Sequence, residues 1–146
     1  MTTNVSSSAI IYDERKRVLL AQRSSNRSLD PDLWETIGGG IEFGESPEDC
    51  LRREIKEELG CDITITHLQL FNVYNFSGGD IHLISIVYLV RIDGVPRINP
   101  GEIQKLQWVS EQEAMQLKFS VNCRQRIVDF FRSKANEGEV PETFFL

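Results

Sequence analysis

The sequence predicts an α/β fold, a mixed β-sheet sandwiched between α-helices, and three observations support it. Short β-prone runs separated by turn signals fill the first 37 residues. A single well-punctuated helix follows, and then two longer β-prone runs. Two amphipathic helical stretches close the pattern, giving the order β-β-β-α-β-β-β-α-α.

Residues 7–12 and 17–22 are rich in aliphatic side chains and flank Asp13-Glu14-Arg15-Lys16, which reads as a hairpin. Residues 23–32 are polar, contain Pro31 and read as a loop. Residues 34–37 form a short strand that delivers the chain into Gly38-Gly39-Gly40. The helix after them carries Ser46 as its cap, Pro47 in the first turn and Asp49 as an acidic capping-box partner. Gly60 ends it. Residues 62–76 and 81–92 are paired strands, with Ser77-Gly78-Gly79-Asp80 as their turn. A strand at 105–109 leads to the capping box Ser110-Glu111-Gln112-Glu113 and a short helix. The last helix spans 121–134, with Val121, Ile127, Val128, Phe130 and Phe131 on its apolar face.

A chain of 146 residues, 40% hydrophobic and 26% charged, has the makeup of an ordinary globular protein. One domain is predicted over residues 1–136, with 137–146 as a C-terminal tail whose Phe144-Phe145-Leu146 could dock on a surface. The start of the chain lacks the charged-then-apolar pattern of a signal peptide, and no run approaches the length of a membrane span. Cys50, Cys61 and Cys123 are odd in number and show no C-x-x-C spacing. They are predicted to be buried reduced thiols of a cytoplasmic protein. His67 and His82 fall in strands without metal-ligand spacing and are read as structural.

The charge is concentrated. Net charge is −6, and residues 38–61 alone hold seven acids against three bases, a net of −4. Such asymmetry argues against a nucleic-acid surface, which needs a basic face. It admits a small phosphorylated substrate whose contacts are mediated by divalent cations. Within the helix, Glu54, Glu57 and Glu58 stand at i, i+3 and i+4, so their carboxylates cluster beside the apolar stripe of Cys50 or Leu51, Ile55 and Leu59. Like charges at that spacing repel, and a cation among them would remove the cost. Mg2+ and Mn2+ prefer oxygen ligands and bind beside phosphates. The preceding glycines let backbone carbonyls approach a cation and backbone amides a phosphate. Arg53, four before Glu57 and eight after Glu45, can orient a carboxylate through its planar fork.

Gly39, Glu45, Arg53, Glu54, Glu57, Glu58 and Gly60 stand at the spacing G-x5-E-x7-R-E-U-x-E-E-x-G-U, where U is a bulky aliphatic residue and Ile55 fills the first such place. At residue frequencies of about 5–7%, such a match arises by chance on the order of once in a million chains. The segment resembles the Nudix box, and the likeness extends over roughly residues 5–135 through Arg17 to Arg23, Trp34-Glu35, Glu102 and Trp108. Two positions depart from the pattern: Cys61 occupies the final aliphatic place, and Ile37 stands where many members carry proline.

The resemblance implies a Nudix fold and hydrolysis of nucleoside diphosphates linked to another moiety, with Mg2+ as cofactor and Mn2+ as a substitute. By position, Glu57 and Glu58 are implied as main metal ligands, with the Gly38 carbonyl as a backbone ligand. Glu54 is implied as ligand or as the base that activates water, and Glu45 with Arg53 as the pair that orients the helix. Glu102 resembles the acidic residue that some members use as an extra ligand or base. Arg23, Arg27 and the Gly39 backbone are candidate phosphate contacts, and Tyr74 or Phe76 candidates to stack on a base. The signatures of dinucleoside-polyphosphate, ADP-ribose and NADH hydrolases are not found in the sequence, so the substrate within the nucleotide class is left open. Two alternatives stand beside the hydrolase. Isopentenyl-diphosphate isomerases share the fold but rely on an upstream cysteine, and this sequence has none before Cys50. A non-catalytic nucleotide-binding module would keep the scaffold, yet all the box carboxylates are present. A homodimer is admitted because many relatives pair.

Overall fold

The computed structural model describes residues 2–133. Its elements run β1 (Thr2–Tyr12), β2 (Val18–Arg23), β3 (Trp34–Glu35), β4 (Ile37–Gly40), α1 (Pro47–Leu59), β5 (Thr64–Gly78), β6 (Ile81–Asp93), β7 (Ile103–Val109), α2 (Glu111–Ala114) and α3 (Cys123–Arg132). The tail at 137–146 lies outside the described residues. No described helix is long and apolar enough to cross a membrane.

The sheet is mixed. Strand order is β3-β2-β1-β6-β5, with β4 joining β1 and β7 joining β2. β1 and β6 run parallel from Thr2↔Ile81 to Ile11↔Val90, and the other pairings are antiparallel. Successive strand side chains point to opposite faces, and the two cores follow that alternation. Ala9, Ile11, Leu19, Ala21, Tyr88 and Val90 pack with Leu51, Ile55 and Leu59 of α1. Ile10, Tyr12, Val18, Leu20, Val87 and Leu89 pack on the other face with Ile127, Phe130 and Phe131 of α3. The helices therefore cover both faces of the sheet, as predicted. Full burial of Leu51, Ile55 and Leu59 contributes about 1.5–3 kcal/mol each, enough to fix which face of α1 turns outward.

Turn chemistry explains the connections. Asp13 accepts backbone N–H groups from Arg15 and Arg17 and pairs with the Arg17 guanidinium, closing the first hairpin. Ser46 Oγ accepts from the Asp49 N–H at 3.1 Å. Ser110 and Glu113 form both halves of the box predicted at α2.

Three expectations change. The glycines that were expected to follow the strand are themselves a strand: Gly38, Gly39 and Gly40 belong to β4, opposite Ser8, Ser7 and Ser6. The single strand predicted at 34–37 is two strands broken at Thr36, because Trp34 and Glu35 pair with β2 whereas β4 pairs with β1. Glycine is needed in β4 for close approach. A Cβ on Gly38 would collide with the Ser7 carbonyl and the Ser8 Cα, and one on Gly39 with the Glu54 carboxylate. The third change concerns Cys61, which is exposed, whereas Cys50 and Cys123 are buried. The turn at Gly60, with φ +104°, carries the chain off the helix before Cys61 can reach the core.

Candidate active site

Helix α1 turns its polar edge toward β4, and Arg53 is the hub of that edge. Its Nε donates to Glu45 Oε2 at 2.7 Å and its Nη2 to Glu45 Oε1 at 2.9 Å, a two-pronged fork. Nη1 donates to Glu54 Oε1 at 2.8 Å and reaches Glu57 Oε2 at 3.3 Å, while Nη2 also donates to the Gly40 carbonyl at 3.2 Å. The Glu45 carboxyl is held down at about 2, chiefly by Arg53 and then by the Glu42 N–H. The same bond to Glu45 is the main influence holding the Arg53 guanidinium above its ordinary range. One arginine thus ties the loop before α1, the end of β4 and two turns of the helix together.

The three helical carboxylates differ in environment. The Glu57 side chain is 55% exposed and that of Glu54 14% exposed, while Glu58 is buried. Burial pushes the Glu58 carboxyl well above the usual range. The hydrogen bond with Glu54 adds to this, followed by the negative charge of Glu35, Glu54 and Glu102. Glu58 therefore lies where four acidic residues share one field and ionisation is costly without a cation. Cys50 Sγ donates to the Gly39 and Gly40 carbonyls, and burial is the main cause that pushes its thiol up to about 11, an unreactive state.

The other predicted residues take varied places. Gly38 and Gly39 lie in β4 beside α1. Arg23 is committed to the protein, with Nη1 donating to Glu35 at 2.5 Å and Nε to the Leu29 carbonyl at 3.0 Å. Glu102 is exposed, lies in the turn just before β7 and acts on Glu58 through charge. Tyr74 belongs to the core, its hydroxyl donating to Asp129 at 2.7 Å, so it is not a stacking surface. His82 bonds Thr3 and Asn75, and His67 bonds Gln69.

No three histidine, cysteine or acidic side chains among the described residues are already drawn together as a metal cage. Arg53 instead stands between Glu54 and Glu57. The donor chemistry nevertheless fits a hard divalent ion, because oxygen ligands crowd one helix edge and Glu58 is buried among like charges.

Behind β4 lies a cavity of about 350 Å3, which sequence reasoning did not anticipate. Glu35, Thr36 and the three glycines line one side, Ser6, Ser8 and Ser85 another, and Arg126 of α3 a third. Arg126 sits one position before Ile127 and four before Phe130, so a charge on the apolar face of a helix was the available signal.

Comparison with known proteins gives concordant results. A model of the NUDIX domain matches residues 2–131. The chain is 32% identical to the nucleoside triphosphatase NudI of Escherichia fergusonii over 120 residues, covering 75% of this chain and 84% of that protein. To NudI of Enterobacter sp. strain 638 it is 37% identical over 78 residues, 49% of this chain and 55% of that protein. Among solved structures, a MutT NUDIX hydrolase from Burkholderia pseudomallei aligns with TM-score 0.77 at 25% identity, covering 88% of this chain and 98% of that one. A MutT protein from Methanosarcina mazei Go1 aligns with TM-score 0.76 at 23% identity, covering 89% and 94%.

Proposed function

The chain belongs to the Nudix family, and from that premise we propose that it hydrolyses the diphosphate linkage of a nucleoside triphosphate or another nucleoside diphosphate derivative, with Mg2+ as cofactor and Mn2+ as a substitute. As a Nudix-type pyrophosphohydrolase it needs a nucleophilic water, a proton acceptor and positive charge beside the phosphates. The observation that carries the reading is the Arg53 hub, which holds Glu45 and Glu54 in place next to buried Glu58. The NudI relatives favour a nucleoside triphosphate as the substrate.

Glu57, Glu58 and Glu54, with the Gly38 carbonyl, are the groups that would hold the ion. Once bound, such an ion neutralises phosphate charge and acidifies its water. Glu54 is the first choice to accept the water proton, because its side chain is nearly enclosed and fixed by Arg53 at 2.8 Å. Exposed Glu102, acting on the same field, is the second choice for that role. Glu45 and Arg53 are positioning residues whose fork sets the angle of α1 against β4. Arg23 keeps Glu35 at the edge of the site and contacts phosphate only with donors not already engaged. Gly39 admits the Glu54 carboxylate. Three free cysteines suit a cytoplasmic location.

The test is a panel of nucleoside triphosphates, nucleotide sugars and dinucleotides with Mg2+ or Mn2+, the products identified by mass. A nucleoside monophosphate plus pyrophosphate, or two phosphorylated halves, is the expected result. An isomerised diphosphate, or tight binding without turnover of any compound, would replace the reading with an isomerase or a binding module.

A further inference from the structure

The cavity behind β4 has a charge problem of its own. Arg126 is only 3% exposed. Its Nε donates to the Asn122 carbonyl and its Nη1 to Thr36 Oγ1, each at 3.2 Å, and the guanidinium lies 5.5 Å from the Tyr74 ring centre. No carboxylate among the described residues forms an ion pair with it, and Nη2 has no acceptor among them. The hydroxyls do not fill the gap. Thr36 bonds Ser8 at 2.5 Å, Ser8 donates to the Ile37 carbonyl at 3.2 Å, and Ser6 bonds Ser85 at 3.0 Å. The protons thus run from Arg126 through Thr36 and Ser8 to a backbone carbonyl, and the N–H groups of Nη2 are left at the cavity. A guanidinium this buried without a paired carboxylate is costly, and a ligand that brings acceptors to the cavity-facing Nη2 relieves that cost.

The walls indicate the shape of such a ligand. Leu29, Val121 and Val5 line the cavity with 64%, 45% and 36% of their surface exposed, offering apolar sides to a flat ring. A volume of about 350 Å3 is at the lower end of small-molecule sites, suited to one nucleoside. Gly39 belongs both to this lining and to the contact with Glu54, so one strand separates the cavity from the acidic helix.

We infer that this cavity recognises the base of the substrate, with Arg126 as the specificity-determining residue. It favours bases that present carbonyl acceptors (guanine, uracil, thymine) over those that present an amino group there (adenine, cytosine). The inference rests on the reading of the substrate as a nucleotide and names which nucleotides it takes. A guanidinium has donors only. It pairs with a keto oxygen, or with O6 and N7 of guanine, and opposes an exocyclic amino group donor to donor.

The experiment titrates the full chain with GMP, UMP, AMP and CMP in a chelator, by calorimetry, alongside wild-type kcat/KM for the four nucleoside triphosphates with Mg2+. GMP and UMP should bind at least about tenfold more tightly than AMP and CMP. In Arg126→Met the ratio should fall to within about twofold, and Arg126→Lys should retain part of it. Should the methionine variant not fold, the guanidinium 15N resonances of wild-type Arg126 should shift with UMP and stay in place with CMP. Equal binding of all four, no binding of any, or a preference that survives in folded Arg126→Met would overturn the inference. A preserved binding preference without hydrolysis would refute the proposed activity alone, and hydrolysis that ignores the base would refute this inference alone.

Discussion

Two arginines organise the two sides of β4, and their surroundings are opposite. Arg53 is partly exposed and lies within 4 Å of Glu42, Glu45, Glu54 and Glu57. Arg126 is buried against hydroxyls and a tyrosine face, with no carboxylate paired to it among the described residues. Around Arg53 four carboxylates face one guanidinium, and Glu58 on the same helix is raised first by burial, then by its bond to Glu54 and by its acidic neighbours. Around Arg126 the donors exceed the acceptors. The two regions lack opposite things: one a cation, the other a set of lone pairs. On the proposed reading, a nucleotide carrying Mg2+ on its phosphates brings both, and the two regions are halves of one site.

Removing ligand charge from the first region should give the largest effect. Glu57→Gln should lower kcat by at least about 10³ without changing the fold, checked by steady-state rates and circular dichroism. Crowding β4 comes next. Gly38→Ala must push against the backbone of Ser7 and Ser8 and should cost about 2–3 kcal/mol in denaturant unfolding. Gly39→Ala meets only the movable Glu54 carboxylate and should lower kcat more than stability. Arg53→Lys keeps the charge but loses the fork to Glu45, and kcat should fall about 10- to 100-fold with KM little changed.

The pH dependence should be smaller and has a defined sign. The folded Glu58 carboxyl lies above its unfolded value, so its contribution is complete in mild acid and declines as pH rises. Glu45 has the reverse sign: its contribution is complete above the ordinary carboxylate range and is lost only as pH falls toward about 2. Without divalent ions, the melting temperature should therefore drop on the order of 5 °C between about pH 5 and about pH 9. Glu58→Gln should flatten that slope. The smallest effect belongs to exposed Cys61, where Cys61→Ser should change stability by less than about 0.5 kcal/mol.

The acidic half was legible in the sequence because its geometry is local. Glu45, Arg53, Glu54, Glu57 and Glu58 lie on one helix and the loop before it, so spacing alone sets who can meet whom. The paired strands were legible from β-prone runs and turn residues, to within a few residues at their ends. The role of the glycines was not, because their need is set by Ser7, Ser8 and Glu54, which approach from elsewhere in the chain. Nor was the cavity: Thr36 and Arg126 lie 90 positions apart and meet only because β3 and α3 are folded together. That joining comes from the Trp34 N–H donating to the Lys118 carbonyl and the Ser120 N–H to the Trp34 carbonyl, two backbone bonds that leave no trace in residue type. Cys61 was misjudged because the three cysteines were read together as buried thiols, whereas the turn at Gly60 decides its exposure.

The most direct test follows the oxygen. Wild-type protein is incubated with a nucleoside triphosphate in 18O-labelled water, with Mg2+ or with a chelator, beside Glu57→Gln, and the products are weighed. One 18O should enter a phosphorylated product per turnover with Mg2+, with almost none in the chelator or in the variant. Label-free product, or equal labelling in Glu57→Gln, would contradict a hydrolase centred on the acidic edge of α1.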